Sequence, residues 1–525
     1  MSTLEKLKRP IFWLWASAIV VLAALHFLHL RADFPNFSPW MDFSKYTDEG
    51  WYASAAIRAH LTGHWYVPGD FNPAPALPVL QLIEWVLFCF TGVSIEAARA
   101  LSVSFFCINL ALIYLLIRAE QSRWTALLAV TMAVTSVFLF NFTRLAILEP
   151  SLTVFTLASL NLAVRMPRFR HQKTIAVALG LLFVLMILTK TTAIFLIPAL
   201  GWALWFPLRA QMRNFFKLAG IAIGTAALVW SSYFFLLVRP TYLADYKYLF
   251  FINVYVKPAT IGGWLMAFYY SFHGGLWCDK IMIPALGVAL LLVFACWRTE
   301  WARQLFRIPS FGASLLAIAG YVFFIGYHNN MQPRYYAVIA VFSFILLAQV
   351  SAKLVMAPAA PGVLLVAVLV SAMLHNLRGE VHALRYPEYT LVNASNRLTH
   401  YILQNPYRNN LLVSISGNQF QLISHIPALC DDFGTEDLPT RLHHYNPGWY
   451  ATWNSFDAGT LEDLHVWYSL QQVGTFPAMD DTDRNRLVLF RLVPLPNGGS
   501  RDSSVQNLKR RLPGDSFTIP IDNLN

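Results

Sequence analysis

Along most of the chain, apolar runs near the twenty or so residues that a bilayer core requires alternate with short polar turns. Such runs occupy 11–30, 98–117, 124–142, 151–165, 174–189, 191–207, 215–237, 281–297, 309–327, 335–351 and 362–375. Each predicts a membrane-spanning helix. Lys6, Lys8 and Arg9 precede the first run, which places the N-terminus in the cytoplasm and residue 31 outside. The run 77–91 (LPVLQLIEWVLFCFT) is shorter, carries Glu84 and is followed by Gly92, Glu96 and Arg99. If it crossed the bilayer, Arg118 and Arg123 would face outward and every later basic loop would be inverted. It is therefore read as a helix lying on the outer leaflet. With that choice RMPRFRHQK, PLRAQMRNFFK and RTEWARQLFR all fall on the cytoplasmic side.

Beyond residue 375 charged and polar residues interleave and no run of spanning length follows. The period-two stretches 411–416 (LLVSIS) and 486–493 (RLVLFRLV) predict strands, and 461–472 (LEDLHVWYSLQQ) predicts a helix. The expected fold is a polytopic α-helical membrane protein of about eleven transmembrane helices with a C-terminal extracytoplasmic α/β domain. Residues 1–375 form the membrane part, 31–97 its first external loop with juxtamembrane helices, and 376–525 the second domain.

Composition agrees: 57% of residues are hydrophobic, 13% are charged, and the mean hydropathy is +0.48. The net charge of +11 would suit nucleic acid, but the basic residues cluster between apolar runs, as positive-inside loops require, so no nucleic-acid partner is expected. The five cysteines are scattered without metal-ligand spacing, which indicates neither a disulfide framework nor a zinc site.

The topology gathers unusual residues on the outer face. Asp48 and Glu49 stand together in the first external loop, between Tyr46 and Trp51; Arg144 and Glu149, Lys190, Lys247 and Lys257, His273, and His328 with Arg334 occupy other external turns. Arginine and lysine suit phosphate, carboxylates suit sugar hydroxyls, and tyrosine and tryptophan suit both sugar faces and headgroups. Structural readings stand beside these: Asp48 and Glu49 also suit a helix start, Lys190 can snorkel at a helix end, and Glu149 before Pro150 can open a helix. The oxygens of Asp48 and Glu149 would also suit a divalent ion.

The ordered series TDEGWYA, HWYVPGDFNPAPALPVLQL, GVSIEAARALS, RLAILEPSLTVF, LTKTTAIFLIPAL and QPRYYAVIA resembles the polyprenyl-phosphate-sugar-dependent membrane glycosyltransferases of the glycosyltransferase C superfamily, in the protein mannosyltransferase and aminoarabinose transferase group. The resemblance covers roughly residues 10–350. It implies that Asp48 and Glu49 form the family's first-loop acidic motif and that Glu149 stands where a second acid, usually Asp, precedes Pro. The family's lysine before its proline pair is missing from FNPAPALP, so Lys190, Arg144 and Arg334 become the candidates for phosphate binding.

The implied activity is transfer, with inversion, of a sugar from a polyprenyl-phosphate donor to a glycan, lipid or protein hydroxyl at the outer face of a bacterial inner membrane. Asp48 would be the general base, assisted by Glu49 and Glu149, with Lys257, His328, Tyr46 and Trp51 contributing to substrate binding and no nucleotide cofactor. A flippase of lipid-linked sugars is the alternative. It would place charge at the bilayer midplane and show internal repeats, and neither is seen in the sequence.

Overall fold

A computed structural model describes residues 3–34, 45–252, 260–273, 279–328, 331–355, 360–479, 484–496 and 518–521. Its first half runs α1 (Thr3–Leu25), α2 (Asp48–Thr62), α3 (Pro78–Thr91), α4 (Ile95–Arg118), α5 (Arg123–Val134), α6 (Val137–Phe142), α7 (Leu148–Val164), α8 (Gln172–Thr189), α9 (Ile197–Leu208) and α10 (Met212–Tyr233). The short α11 (Arg239–Thr241) and α12 (Leu243–Lys247) lead to α13 (Ile261–His273), α14 (Met282–Ala295), α15 (Glu300–Phe306), α16 (Pro309–His328), α17 (Tyr336–Leu354) and α18 (Ala360–Arg385).

Among the described residues seven helical segments are long and apolar enough to cross a membrane, or eight if α14 and α15, bent by 112°, count as one. The shorter apolar helices α1, α5 and α7 fill the remaining predicted spans. The chain is a polytopic helical membrane protein. The segment ending in α17 has 89% of its apolar window buried, against 11% for that beginning with α10, so α17 is the hub of the bundle and α10 faces lipid.

Several elements differ from the sequence expectation. The run 124–142 is two helices, α5 and α6, because the Ser136 hydroxyl accepts from Leu139 N at 3.3 Å and caps a new helix. The stretch 238–280, which the predicted runs 215–237 and 281–297 leave as an external loop, contains the apolar helix α13, which packs on α16 and α14. Its glycines and aromatics mask a helical pattern that becomes favourable once its apolar side chains have lipid and neighbours. Helix α18 continues through Arg385, ten residues past the predicted run 362–375. Helix α3 buries Glu84 and leaves Leu82, Val86 and Phe90 exposed, the one-sided apolar face expected of a helix lying in lipid.

The C-terminal α/β domain follows with α19 (Thr390–Gln404), β1 (Leu412–Val413), α20 (Gly417–Ser424), β2 (Ala428–Leu429), α21 (Leu438–Tyr445), β3 (Trp449–Thr452), β4 (Ser455–Asp457), α22 (Ala458–His465), β5 (Tyr468–Pro477), β6 (Arg486–Pro494) and β7 (Thr518–Pro520). The sheet order is β2-β1-β3-β6-β5, with β1 parallel to both β2 and β3, while β6 runs antiparallel to β3 and β5. The helix expected over 461–472 stops at His465: from Tyr468 the alternating side chains pair along β6 instead, and the long ladder of backbone bonds outweighs a local helical pattern.

Candidate active site

The acidic motif opens α2. Asp48, 1% exposed, sets its Oδ2 3.1 Å from Nη2 of Arg334. Arg334 belongs to a single 3-10 turn, Pro333–Tyr335, in which the proline fixes the entry to α17. The guanidinium lies 5.0 Å from the Tyr335 ring centre, and Lys190 Nζ lies 4.5 Å from the same centre. Lys190 sits in an extended link between α8 and the 3-10 turn Thr191–Leu196, where it forms an ion pair with Glu149 at the start of α7. The other carboxylate oxygen of Glu149, Oε2, is buried and has no partner among the described residues.

Tyr52, one turn along α2 from Asp48, joins the cluster. Burial first, then the charge of Asp48, push its phenol well above the usual range, with Arg334 opposing. Its hydroxyl therefore stays protonated. Four distant segments thus bring Asp48, Glu149, Lys190, Arg334, Tyr335 and Tyr52 together, two acids and two cations around one tyrosine ring.

Glu49 points elsewhere. It accepts from Arg99 through Nε and Nη2, both at 2.7 Å, from Ala146 N at 2.9 Å and from Gln419 Nε2 at 3.0 Å. Both oxygens of Glu49 are thus engaged by the protein itself. Arg144 donates to the carbonyls of Leu28 and His29 beyond α1 and covers the Phe140 ring at 4.5 Å, so it is not brought to the Tyr335 cluster. Tyr46 is buried against Trp453 at 5.2 Å, and Trp51 packs on Phe71 and Phe433 at 5.3 and 4.7 Å. Both serve the junction with the C-terminal domain. Lys257 and the side chains of His273 and His328 lie outside the described residues.

The junction also holds buried charged residues that the sequence did not single out. Asp70 binds Arg58 of α2, Arg441 of α21 at 2.8 Å, and Cys430 N at 3.1 Å. Arg58 also reaches Asn418 Oδ1 at 3.2 Å. No spacing signal links residues so far apart in sequence. Arg99 and Tyr335, by contrast, lie inside the motifs GVSIEAARALS and QPRYYAVIA.

A metal ion on Asp48 and Glu149 does not fit this geometry. Each carboxylate is already matched by a basic side chain, and among the described residues no three His, Cys, Asp or Glu side chains converge.

A family model described as dolichyl-phosphate-mannose-protein mannosyltransferase matches residues 73–233. No curated protein sequence matches the chain. Among solved structures it is similar to ArnT from Cupriavidus metallidurans bound to undecaprenyl phosphate, with 14% identity and a TM-score of 0.60 over 93% of this chain and 99% of that one. The apo state of the same protein gives 14% and 0.58 over 91% and 97%. The archaeal oligosaccharyltransferase AglB from Archaeoglobus fulgidus, in complex with an inhibitory peptide and a dolichol-phosphate, gives 13% and 0.51 over 94% and 77%. The chain has the fold of the glycosyltransferase C superfamily, the architecture of membrane glycosyltransferases that use lipid-linked donors.

Proposed function

We propose that this protein transfers a hexosyl or pentosyl group, with inversion, from a polyprenyl-phosphate donor to an acceptor hydroxyl on the side of the membrane that carries the C-terminal domain. The observation that supports this reading best is the charge-balanced cluster around Tyr335, in which Arg334 pairs with Asp48 and Lys190 with Glu149. The similarity to ArnT bound to undecaprenyl phosphate supports the choice of donor. The orientation follows from the positive-inside reading, with the N-terminus in the cytoplasm of a bacterial cell and the site on the far face of the inner membrane.

In this mechanism the donor phosphate competes for Arg334 and Lys190, because its two non-bridging oxygens can accept from one cation each and so draw on both at once. Drawing Arg334 toward phosphate loosens its hold on Asp48, whose oxygen becomes basic as the donor arrives. The acceptor oxygen then attacks the sugar C1 while Asp48 takes its proton; the C1–O bond breaks and its electron pair stays on the polyprenyl phosphate. That leaving group gains one negative charge, which Arg334 and Lys190 neutralise, and no acid is needed to protonate it. Glu149 returns Lys190 to its resting pair when the product leaves, and the protonated Tyr52 donates a hydrogen bond within the site.

The test is turnover by the purified protein in lipid nanodiscs, read as release of polyprenyl phosphate from a radiolabelled lipid-linked sugar. Asp48→Asn should abolish most of it and leave donor binding intact; unchanged turnover would overturn the role of Asp48. Movement of intact donor across a vesicle membrane without release would instead favour the flippase.

A further inference from the structure

We infer that Gln419 of the C-terminal domain is a positioning residue for Asp48, an inference that rests on the reading of Asp48 as the base. The first N–H groups of a helix have no partner within it, and Thr47 provides no side-chain cap for α2. The N–H of Gly50 is satisfied instead by Gln419 Oε1 at 2.9 Å, from the first turn of α20. The same amide donates through Nε2 to Glu49 Oε2 at 3.0 Å. A primary amide is suited to this pair of tasks, since it accepts and donates at once; a carboxylate would face Glu49 without a proton to give.

The contact is close as well as polar. A Cβ on Gly50 would stand 2.2 Å from the carbonyl carbon of Asn418 and 2.3 Å from Gln419 N, so the two backbones touch. Gln419 is fully buried. Its place in the C-terminal domain is informative too. The chain passes from β1 outward to β2 and then back across to β3, and crevices beside such a reversal, at the carboxyl ends of parallel strands, are where α/β sheets customarily take their ligands. Here the segment after β1, Ser414 to Gln419, and Trp453 after β3 meet Tyr46, Glu49 and Gly50. The domain grips the helix that presents Asp48 where a related domain would grip a small molecule. Removing the amide frees the N-terminal turn of α2, and with it the register of Asp48 against Arg334.

The experiment is a double-mutant cycle in the full-length protein. Gln419→Met removes both hydrogen bonds at nearly constant volume, and Gln419→Ala is the second variant should the first fail to fold. Each is measured in the wild-type and Asp48→Asn backgrounds by single-turnover release of polyprenyl phosphate, together with donor affinity. The expected result is a kcat lowered about tenfold or more with donor affinity unchanged, and no further loss in the Asp48→Asn background. An unchanged kcat, or an equal loss in both backgrounds, would overturn the inference. Failure of the Asp48 reading itself would show separately, as full turnover by the single Asp48→Asn variant.

Discussion

Asp48 and Glu49 are adjacent in sequence and equally buried, at 1% and 0% exposure, yet they belong to two regions built on different principles. Around Glu49 every bond comes from a fixed element: Arg99 on α4, the Ala146 backbone, and Gln419 on α20. Around Asp48 the pairing is by Arg334, whose charge is also within reach of a ring shared with Lys190. The first arrangement cannot exchange partners without unfolding a junction. In the proposed mechanism the second does, because an incoming phosphate takes the Arg334 guanidinium over from Asp48. On the proposed reading, burial and charge alone do not separate a structural acid from a reactive one; the origin of its partners does.

The sharpest way to break this comparison is to neutralise both acids and compare the outcomes. Asp48→Asn should lower turnover by about 100 to 10,000-fold, the usual worth of a general base, with the thermal unfolding midpoint scarcely changed. Glu49→Ala leaves Arg99 buried without its anion and should cost about 3–5 kcal/mol of stability, read as a large drop in that midpoint. If instead Glu49→Ala folded normally and lost only turnover, the two regions would not be distinct.

Smaller effects sharpen the picture. Arg334→Ala should weaken donor binding about 10 to 100-fold, the scale of a charge-assisted hydrogen bond, and Arg334→Lys should recover part of it, read by displacement of a labelled lipid phosphate. Gly50→Ala forces α2 and α20 apart and should destabilise the protein by about 1–3 kcal/mol while lowering turnover, since the backbones already touch.

The smallest expected effect is on pH dependence. Burial, then the neighbouring Asp432, raise the Asp431 carboxyl to about 7, against the help of the Tyr450 hydroxyl. A raised acid keeps its proton in the folded state when the unfolded chain has lost it, so stability falls as pH rises from about 4 to 7 and levels off above. Melting curves between pH 5 and pH 8 should show this slope, and Asp431→Asn should make it shallower.

Much of this was legible in advance. Apolar run length and basic turns located the spans because a bilayer demands about twenty apolar residues and a positive cytoplasmic face, rules that act locally. The order of acidic and basic turns was enough to nominate Asp48, Glu149, Lys190 and Arg334, since membrane topology confines them to one face. Other features lay beyond local reading for definite reasons. Nothing local distinguishes Glu49 from Asp48, and the difference lies in Arg99, Ala146 and Gln419, which are 50, 97 and 370 positions away. Tyr46 and Trp51 look like sugar platforms in sequence, but an aromatic ring serves a domain junction equally well. The strand at Tyr468–Pro477 carries a helical pattern in its first residues and was decided by pairing with β6.

The sequence by itself determined that the chain lives in a membrane and where most of its apolar helices run, because hydrophobic length acts segment by segment. Tertiary structure alone decided which acid pairs with which base, and that the second domain closes over the first turn of α2. Those choices depend on distances between segments hundreds of residues apart, and no local preference encodes them.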